Sequence, residues 1–291
     1  MTRRVFLLGP TAAGKTAVSL DLATILGGEI VNFDALKVYR GMDIGTAKPS
    51  REDRERVRHH LIDILDPSES YNAGRFVRDA AAAESNLETA IYAGGTSLYY
   101  KALVYGLAEA PPADPELRAR AGDPGLHAEL AAVDPAAAAR LHPNDHKRVI
   151  RAIEVFRATG LPLSARQTQF DSGPKLDGDA FFLSRRDDDL LSRIEARVRR
   201  QVESGLEAEV RGLMERPWSR EARESVTYRE MRMKIRGEIT LDEAIEAMVR
   251  RNRRLTKRQR TWLNALPEVR RLDVAPDEPP KVLASRIVAL L

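Results

Sequence analysis

Residues 9 to 16 constrain the fold of this chain more than any other stretch. Gly9-Pro10-Thr11-Ala12-Ala13-Gly14-Lys15-Thr16 fits G-x-x-x-x-G-K-[ST] at every fixed position. The flanks agree: Val5-Phe6-Leu7-Leu8 reads as a short buried strand, and Val18, Leu22 and Ile25 follow at helical spacing. A strand feeding a Gly-rich turn into a helix aims several backbone N–H groups at one point. The helix dipole adds positive potential there, so a phosphate or diphosphate is the natural occupant. Lys15 supplies a point charge to the outer phosphates, and the Thr16 hydroxyl a ligand for Mg²⁺. The loop says what is held, not what is done with it.

A chain of 291 residues has room for a full α/β core and an added lobe. No apolar run approaches bilayer length, and the first strand begins too early to leave room for a signal peptide. A cytoplasmic protein with no membrane role is expected. The absence of cysteine excludes disulfides, thiol catalysis and zinc–thiolate sites. His142 and His146 are four apart, but Pro143 and Asn144 break the helix that would align them on a metal. Net charge is only +4 at a pI near 9.3, so its distribution matters more than its total. Arg250 to Arg260 concentrates it, with seven basic residues in eleven.

In chain order, Glu29 to Asp34 reads as a second strand ending in a carboxylate. Ligand crevices in open α/β sheets lie at the carboxyl ends of the strands, so Asp34 either faces the loop or caps a turn. Tyr39 to Pro49 is loop-like. A helix with Phe76, Ala80, Ala83 and Leu87 on one face follows an N-cap at Ser70 or Asn72. Ala90 to Ala93 is a weak strand before the sharp turn Gly94-Gly95-Thr96. Composition changes at Ala110-Pro111-Pro112-Ala113-Asp114-Pro115. The expected domains are therefore residues 1–111 as the first part of the core, 112–177 as a helical insertion, and 178–291 as the second part. The best helix of the insertion runs from Asn144 or Asp145 to Gly160, burying Val149, Ile153 and Phe156. Ala180 to Ser184 returns to the sheet. A long helix follows with Leu191, Ile194, Val198 and Val202 facing the core and Arg193, Arg197 and Arg200 on a neighbouring row. The next, from about Leu241 to Leu266, places Leu241, Ile245, Met248, Leu255 and Trp262 on its core stripe. Arg250, Arg253, Lys257 and Arg260 fall opposite, facing solvent or nucleic acid. Arg251, Arg254 and Arg258 fall near the core, where charge needs a partner such as an anion at the loop. A strand from Val269 to Val274 and a helix carrying Leu283, Ile287 and Leu290 close the chain. The fold class is α/β: a P-loop-type parallel sheet core flanked by helices, with a smaller all-helical insertion domain.

On the residues alone three functions stay open: a small-molecule kinase, a transferase that holds a diphosphate leaving group, and a nucleotide-gated RNA-binding protein. No carboxylate follows a strongly apolar strand in the manner of a Walker B acid, which weighs mildly against the NTPase readings.

The loop together with Asp34 and Val38-Tyr39-Arg40-Gly41-Met42-Asp43-Ile44-Gly45-Thr46-Ala47-Lys48-Pro49 resembles the bacterial tRNA dimethylallyltransferase (tRNA isopentenyltransferase) family. The likeness continues through His59-His60-Leu61-Ile62-Asp63, Gly94-Gly95-Thr96, Leu141-His142-Pro143-Asn144-Asp145, Lys257-Arg258-Gln259 and Thr261-Trp262, nearly the whole chain. The resemblance implies transfer of a dimethylallyl group from dimethylallyl diphosphate to N6 of the adenine at tRNA position 37, beside the anticodon, with ATP not a substrate. It implies Asp34 as the base, with Lys15 and Thr96 also catalytic. Gly9 to Thr16, Arg193 and Arg197 would hold the diphosphate, and Thr16 the Mg²⁺. The anticodon stem-loop would touch Asp34, Ala35, Leu36 and Lys37, then Thr96 and Arg118. It would also touch Lys147, Arg148, Val149, Ile150 and Arg151, and Glu224, Ser225, Val226, Thr227, Tyr228 and Arg229. A monomer is expected. The insertion argues against an adenylate isopentenyltransferase acting on AMP.

Four departures from the family pattern stand out. Asp-Ser-x-Gln reads Asp34-Ala35-Leu36-Lys37, and Lys37 can donate but not accept a hydrogen bond. Gly-Tyr-Arg reads Thr227-Tyr228-Arg229, losing a permissive backbone position. Lys147 replaces a Gln, and Asn264 an Arg. In an extended strand residues 34 and 37 face opposite sides, so Lys37 is expected to meet a tRNA phosphate rather than Asp34.

Overall fold

The computed structural model describes residues 2–107, 111–166 and 173–291. Ala110, the first residue of the compositional boundary, lies outside them. In chain order the elements are β1 (Arg3–Leu8), α1 (Lys15–Leu26), β2 (Glu29–Asn32), α2 (Arg51–Arg56), β3 (His59–His60), α3 (Ala73–Glu84), β4 (Thr89–Ala93) and α4 (Ser97–Tyr105). Five helices follow: α5 (Pro115–Ala119), α6 (Leu126–Val133), α7 (Pro135–Arg140), α8 (His146–Thr159) and α9 (Leu163–Arg166). The chain then runs through β5 (Asp179–Ser184), α10 (Asp187–Glu203), α11 (Leu206–Met214), α12 (Arg220–Arg223), α13 (Tyr228–Ile235), α14 (Leu241–Leu263), β6 (Val269–Asp273) and α15 (Pro280–Val288).

The strands form one parallel sheet in the order β3-β2-β4-β1-β5-β6. A parallel sheet covered on both faces needs strands that are apolar throughout, and Val5 to Leu8, Ile30, Val31, Ala90 to Tyr92 and Phe181 to Leu183 are all buried. The stretch at Ala90 that reads as weak in sequence is the strand beside β1. Its small alanine is paid back by neighbours on both edges, with Leu7 opposite Ala93 and Asn32 opposite the same residue. That register brings the carboxyl ends of β1, β2 and β4 to one rim. On one face α1 and α15 close the core with Val18, Leu22, Leu283 and Ile287.

Two compact units result, one of residues Met1–Tyr100 with Asp177–Leu291 and one of Lys101–Leu176. The helical unit thus begins at Lys101 inside α4, upstream of position 112 where composition changes. Its core is Leu117, Leu126, Leu130, Val149, Ile150 and Ile153. The α8 helix has the expected signals: Asp145 accepts from the Arg148 amide at the start, and Gly160 takes φ 68° at the end.

Several core faces differ from the periodic reading. Ile25 and Leu290 are 43% and 46% exposed, and Phe156 is half-buried. In α10 the buried row is Leu190, Ile194, Val198 and Gln201, with Leu191 and Val202 at its margin. In α14 it is Ala244, Met248, Asn252, Thr256, Gln259 and Leu263, while Leu241 and Trp262 lie at the surface. Of the polar side chains on this face, Gln259 bonds the backbone of two loops and Asn252 the Met248 carbonyl of its own helix. Arg254 and Arg258 are exposed, and Arg251 pairs with Glu230 at 2.6 Å and the Glu224 carbonyl at 2.9 Å, not with the loop.

Candidate active site

Between β1 and α1 the chain turns through Ala12 at φ 66° and Gly14 at φ 97°, the latter a conformation that suits glycine. The start of α1 has no side-chain cap and no acid in its first turn. Its N–H groups and dipole are therefore open to an anion. A cavity of about 540 Å³ opens there. Its walls are Gly14 to Thr16, Asp34 and Lys37 beyond β2, Gly94 and Gly95 beyond β4, Arg193 and Arg197 of α10, and Gln259 of α14.

Cations hang on the carbonyls of the loop. Lys15 Nζ donates to the carbonyls of Gly9 (2.9 Å) and Pro10 (2.8 Å), Arg193 Nε to Ala12 (3.0 Å), and Arg185 Nε to Ala13 (3.0 Å). Gln259 ties the loop to the neighbouring turn, accepting from the Thr11 amide at 2.9 Å and donating to the Gly95 carbonyl at 2.8 Å. Both glycines of that turn are needed for close approach. A Cβ on Gly94 would sit 2.7 Å from the Phe33 backbone, and one on Gly95 2.5 Å from Gln259 Nε2.

The β2 strand ends at Asn32, so Asp34 lies two residues past it, not in it. Asn32 Oδ1 accepts from the Asp34 amide (3.1 Å), Asp34 Oδ1 accepts from the Leu36 amide (3.0 Å), and Thr96 Oγ1 accepts from the Ala35 amide (3.2 Å). Asp34 therefore fills both roles considered for it, capping a turn through Oδ1 and lining the cavity. Its Oδ2 has no hydrogen bond among the described residues. Because the chain is turning here, the opposite-sides argument does not hold, and Lys37 lines the same cavity as Asp34. No side-chain partner meets the Lys37 ammonium among the described residues.

One carboxylate thus shares the cavity lining with five cations, Lys15, Lys37, Arg193, Arg197 and Arg200. Burial pushes Lys15 down to about 7, with Asp34 opposing the shift and Lys37 and Arg197 adding to it. Burial likewise pushes Lys37 down to about 8, again against Asp34 and with Arg197. Arg193 is lowered by burial and then by Arg185, against Asp189, and Arg197 by burial against Asp34. Desolvated cations without counter-charge are the arrangement that an incoming polyanion relieves.

The far wall comes from the Tyr39–Pro49 stretch. Glu209 accepts from the amides of Asp43, Ile44 and Gly45 at 3.0, 2.7 and 3.2 Å. Lys48, 1% exposed at its side chain, donates to the Tyr39 carbonyl, Asp43 and Asp63. These bonds hold Thr46, Ala47 and Pro49 against the cavity, where His59 and Ile62 join them. Sequence reading assigned no role to Gln259, Arg185 or His59. Gln259 stands inside the Lys257-Arg258-Gln259 motif and Arg185 directly follows β5, which were the available signals. His59 Nδ1 contacts the Val57 carbonyl at 2.7 Å, and its Nε2 is buried with no partner among the described residues.

Several residues expected to meet RNA are placed otherwise. Val149 and Ile150 are core residues of the helical unit, 0% and 4% exposed. Arg118 and Arg151 both bind the buried Glu154, each at 2.7 Å. Lys147 and Arg148 are exposed, the latter paired with Asp145 at 2.9 Å. Ala35, Leu36 and Val226 are half-buried, and Glu224 and Arg229 are exposed. Ser225, Thr227 and Tyr228 are buried, and the Tyr228 hydroxyl donates to Glu209 at 2.6 Å. Thr227 has φ 84°, so the departure noted in sequence falls where a β-branched residue is strained.

Among the described residues no group of three His, Asp or Glu side chains is placed to hold a metal, and no helix is long and apolar enough to cross a membrane.

Comparison with known proteins places the chain among relatives of one activity. Residues 37–266 match the family described as IPP transferase. A tRNA dimethylallyltransferase 1 from Citrifermentans bemidjiense is 47% identical over 270 residues, covering 89% of this chain and 88% of the relative. One from Anaeromyxobacter dehalogenans is 43% identical over 98% of this chain and 99% of its own. Among solved structures, the full-length tRNA isopentenylpyrophosphate transferase of Bacillus halodurans superposes with a TM-score of 0.73 at 35% identity, covering 99% of this chain and 96% of that one. A eukaryotic dimethylallyltransferase acting on tRNA gives 0.80 at 26% identity, over 94% and 74%.

Proposed function

This chain belongs to the IPP transferase family, the tRNA dimethylallyltransferases, and from that premise we propose how its cavity carries out the reaction. The enzyme transfers a dimethylallyl group from dimethylallyl diphosphate to tRNA. In our reading the acceptor is N6 of the adenine at position 37. The observation that carries this reading is a cavity at the start of α1 with Lys15, Lys37, Arg193 and Arg197 set against the single carboxylate of Asp34. Such a charge balance suits a diphosphate that must leave.

The N6 amine forms a bond to C1 of the donor while the C1–O bond breaks, and diphosphate departs with the electron pair. An exocyclic adenine amine is a weak nucleophile, so a base must take its proton as the bond forms. Asp34 Oδ2 is the acceptor we assign, because Oδ1 is held by the Leu36 amide. Lys15, Arg193, Arg197 and the amides opening α1 stabilise the charge that develops on diphosphate. Thr96 fixes the turn bearing Asp34 through the Ala35 amide, which makes it a positioning residue. The adenine must leave its stack to reach this cavity, as in other enzymes that work on bases.

Mg²⁺ fits the donor set as an ion carried with the substrate. The cavity offers hard oxygen donors, the Thr16 hydroxyl and the Asp34 carboxylate, but no cage of carboxylates, and Mg²⁺ commonly takes few protein ligands beside phosphate oxygens and water. Thr16 would hold it, and bound there it would neutralise diphosphate charge. Lys147 and Arg148 of α8, with Glu224 and Arg229, are the exposed residues we assign to the RNA. The test is to incubate the protein with tRNA and either labelled dimethylallyl diphosphate or labelled ATP. Label passing from the prenyl donor into RNA is expected; ATP turnover dependent on a small acceptor, with no prenyl transfer, would overturn the reading.

A further inference from the structure

A second charged pocket, of about 390 Å³, lies outside the group-transfer cavity and includes Glu224 and Arg229, assigned above to the RNA. Arg223, Arg229, Arg232 and Arg236 line it together with Glu224 and Glu238. Its origin is local. Arg229, Arg232 and Arg236 follow one another at spacings of three and four along α13 and its C-terminal cap, so they share a face. Arg223 ends α12, immediately before.

Four guanidiniums outnumber two carboxylates, and the carboxylates do not engage them closely. Glu224 lies 3.8 Å from Arg223 and from Arg229, and Glu238 3.8 Å from Arg236, all beyond hydrogen-bonding range. Arg232 sits deepest and has no carboxylate partner. Its guanidinium stacks over the Trp218 ring at 5.1 Å, and its Nε is buried without an acceptor among the described residues. Burial, then Arg236 and Arg223, hold it below the usual arginine range. An unmet buried donor and a cluster of like charges both destabilise the protein alone, and both are relieved by an anion. A guanidinium fork matches the oxygens of a phosphate in pairs, which a lone ammonium cannot do.

We propose that this pocket is a phosphate-binding site separate from the cavity at Lys15, with Arg232 at its base and Arg223 and Arg236 at its rim. The phosphate is either a backbone diester of the RNA substrate or inorganic phosphate from solution. The first source rests on the tRNA reading above; the second does not.

The experiment uses the full chain with the first cavity saturated by dimethylallyl diphosphate. Arg223→Gln with Arg236→Gln removes two exposed side chains, so that the fold is kept; Arg232→Gln is made alongside it. Binding of tRNA is measured between 50 and 200 mM salt, and binding of inorganic phosphate by titration. If the ligand is an RNA diester, the log–log salt slope of the double variant falls by about 0.7–0.9 per lost contact. If it is inorganic phosphate, phosphate binding is lost and the slope stays. A double variant with wild-type slope and wild-type phosphate affinity overturns the proposal, as does arginine-dependent capture of an acidic peptide without any of phosphate. Should Arg232→Gln fail to fold, the double variant still decides. Wild-type protein that transfers no dimethylallyl group to tRNA sinks the tRNA reading alone, since the phosphate titration remains to judge the pocket.

Discussion

The cavity at the start of α1 and the helical unit are both rich in basic residues, yet they treat charge in opposite ways. In the helical unit four arginines have carboxylate partners. Arg118 and Arg151 share Glu154, and Arg120 and Arg157 share Glu129 at 2.9 and 2.6 Å. In the cavity Lys15, Lys37, Arg193, Arg197 and Arg200 share a lining whose one carboxylate is Asp34. The first arrangement is complete without a ligand, and the second is not. What marks a functional cation is therefore the missing partner, not the count of basic residues.

The comparison is broken most severely by removing the cavity's one carboxylate. Asp34→Asn is expected to lower the single-turnover rate about 10²–10⁴-fold, the usual range for loss of a general base, with donor affinity little changed. A wild-type rate in rapid-quench measurements would exclude Asp34 as the base. Lys15→Ala should cost about 10²–10³-fold in kcat/KM for the donor, as for loss of one charge-stabilising group. Equal losses for Lys15→Ala and Lys101→Ala, an unrelated lysine, would remove its special role.

The helical unit offers the converse. Glu154→Gln should destabilise it by about 1–3 kcal/mol, since the buried oxygens of Glu154 receive Arg118, Arg151 and the Asp114 amide. Urea unfolding measures this. Burial pushes the Glu154 carboxyl up, but the bonds from Arg118 and Arg151 and the Asp114 amide bring it below its usual 4.5. Its contribution is thus full above that value and is lost as pH falls through the lower folded one.

The cavity responds at the other end of the scale. Lys15 at about 7 and Lys37 at about 8 lose their protons in the empty enzyme well below 10.5. The unfolded chain binds more protons between those values, so stability of the unliganded protein rises with pH there. Donor diphosphate needs the charged forms, so its affinity should fall by about tenfold per pH unit between 7 and 8 and by up to about 100-fold per unit above 8, with proton uptake on binding visible by calorimetry in two buffers. A flat affinity from pH 7 to 9 would contradict this. The smallest effect is expected at the RNA face. Arg148→Ala should lower the salt slope of tRNA binding by about 0.7–0.9. Arg151→Ala should act chiefly through stability, because its guanidinium is already bound to Glu154 and the Pro111 carbonyl.

How much of this was legible beforehand depends on the distance over which each feature is decided. Caps, turns and the loop are local: Asn72, Asp145 and Gly160 stand where their side chains or backbone freedom require. The face of α14 is not local. Its apolar period pointed to Leu255 and Trp262, whereas the buried row carries Asn252, Thr256 and Gln259. Gln259 is inside because it joins the Thr11 amide to the Gly95 carbonyl, partners 248 and 164 residues away.

By itself the sequence determined the Gly-rich loop of residues 9–16, the parallel α/β core, the helical unit and the family. Each follows from contiguous patterns whose geometry the backbone imposes over a few residues. Only the tertiary structure decided which charges are spent. Arg118, Arg148, Arg151, Arg193 and Arg197 look alike in sequence. Glu154 and Asp145 neutralise the first three, while Arg193 and Arg197 make no ion pair among the described residues: they are bound to the carbonyls of Ala12 and Thr46, with Asp189 opposing the charge of the first and Asp34 that of the second only at longer range. Pairing depends on what the fold brings within a few ångströms and on how much water it removes, and neither is written in the spacing of the residues.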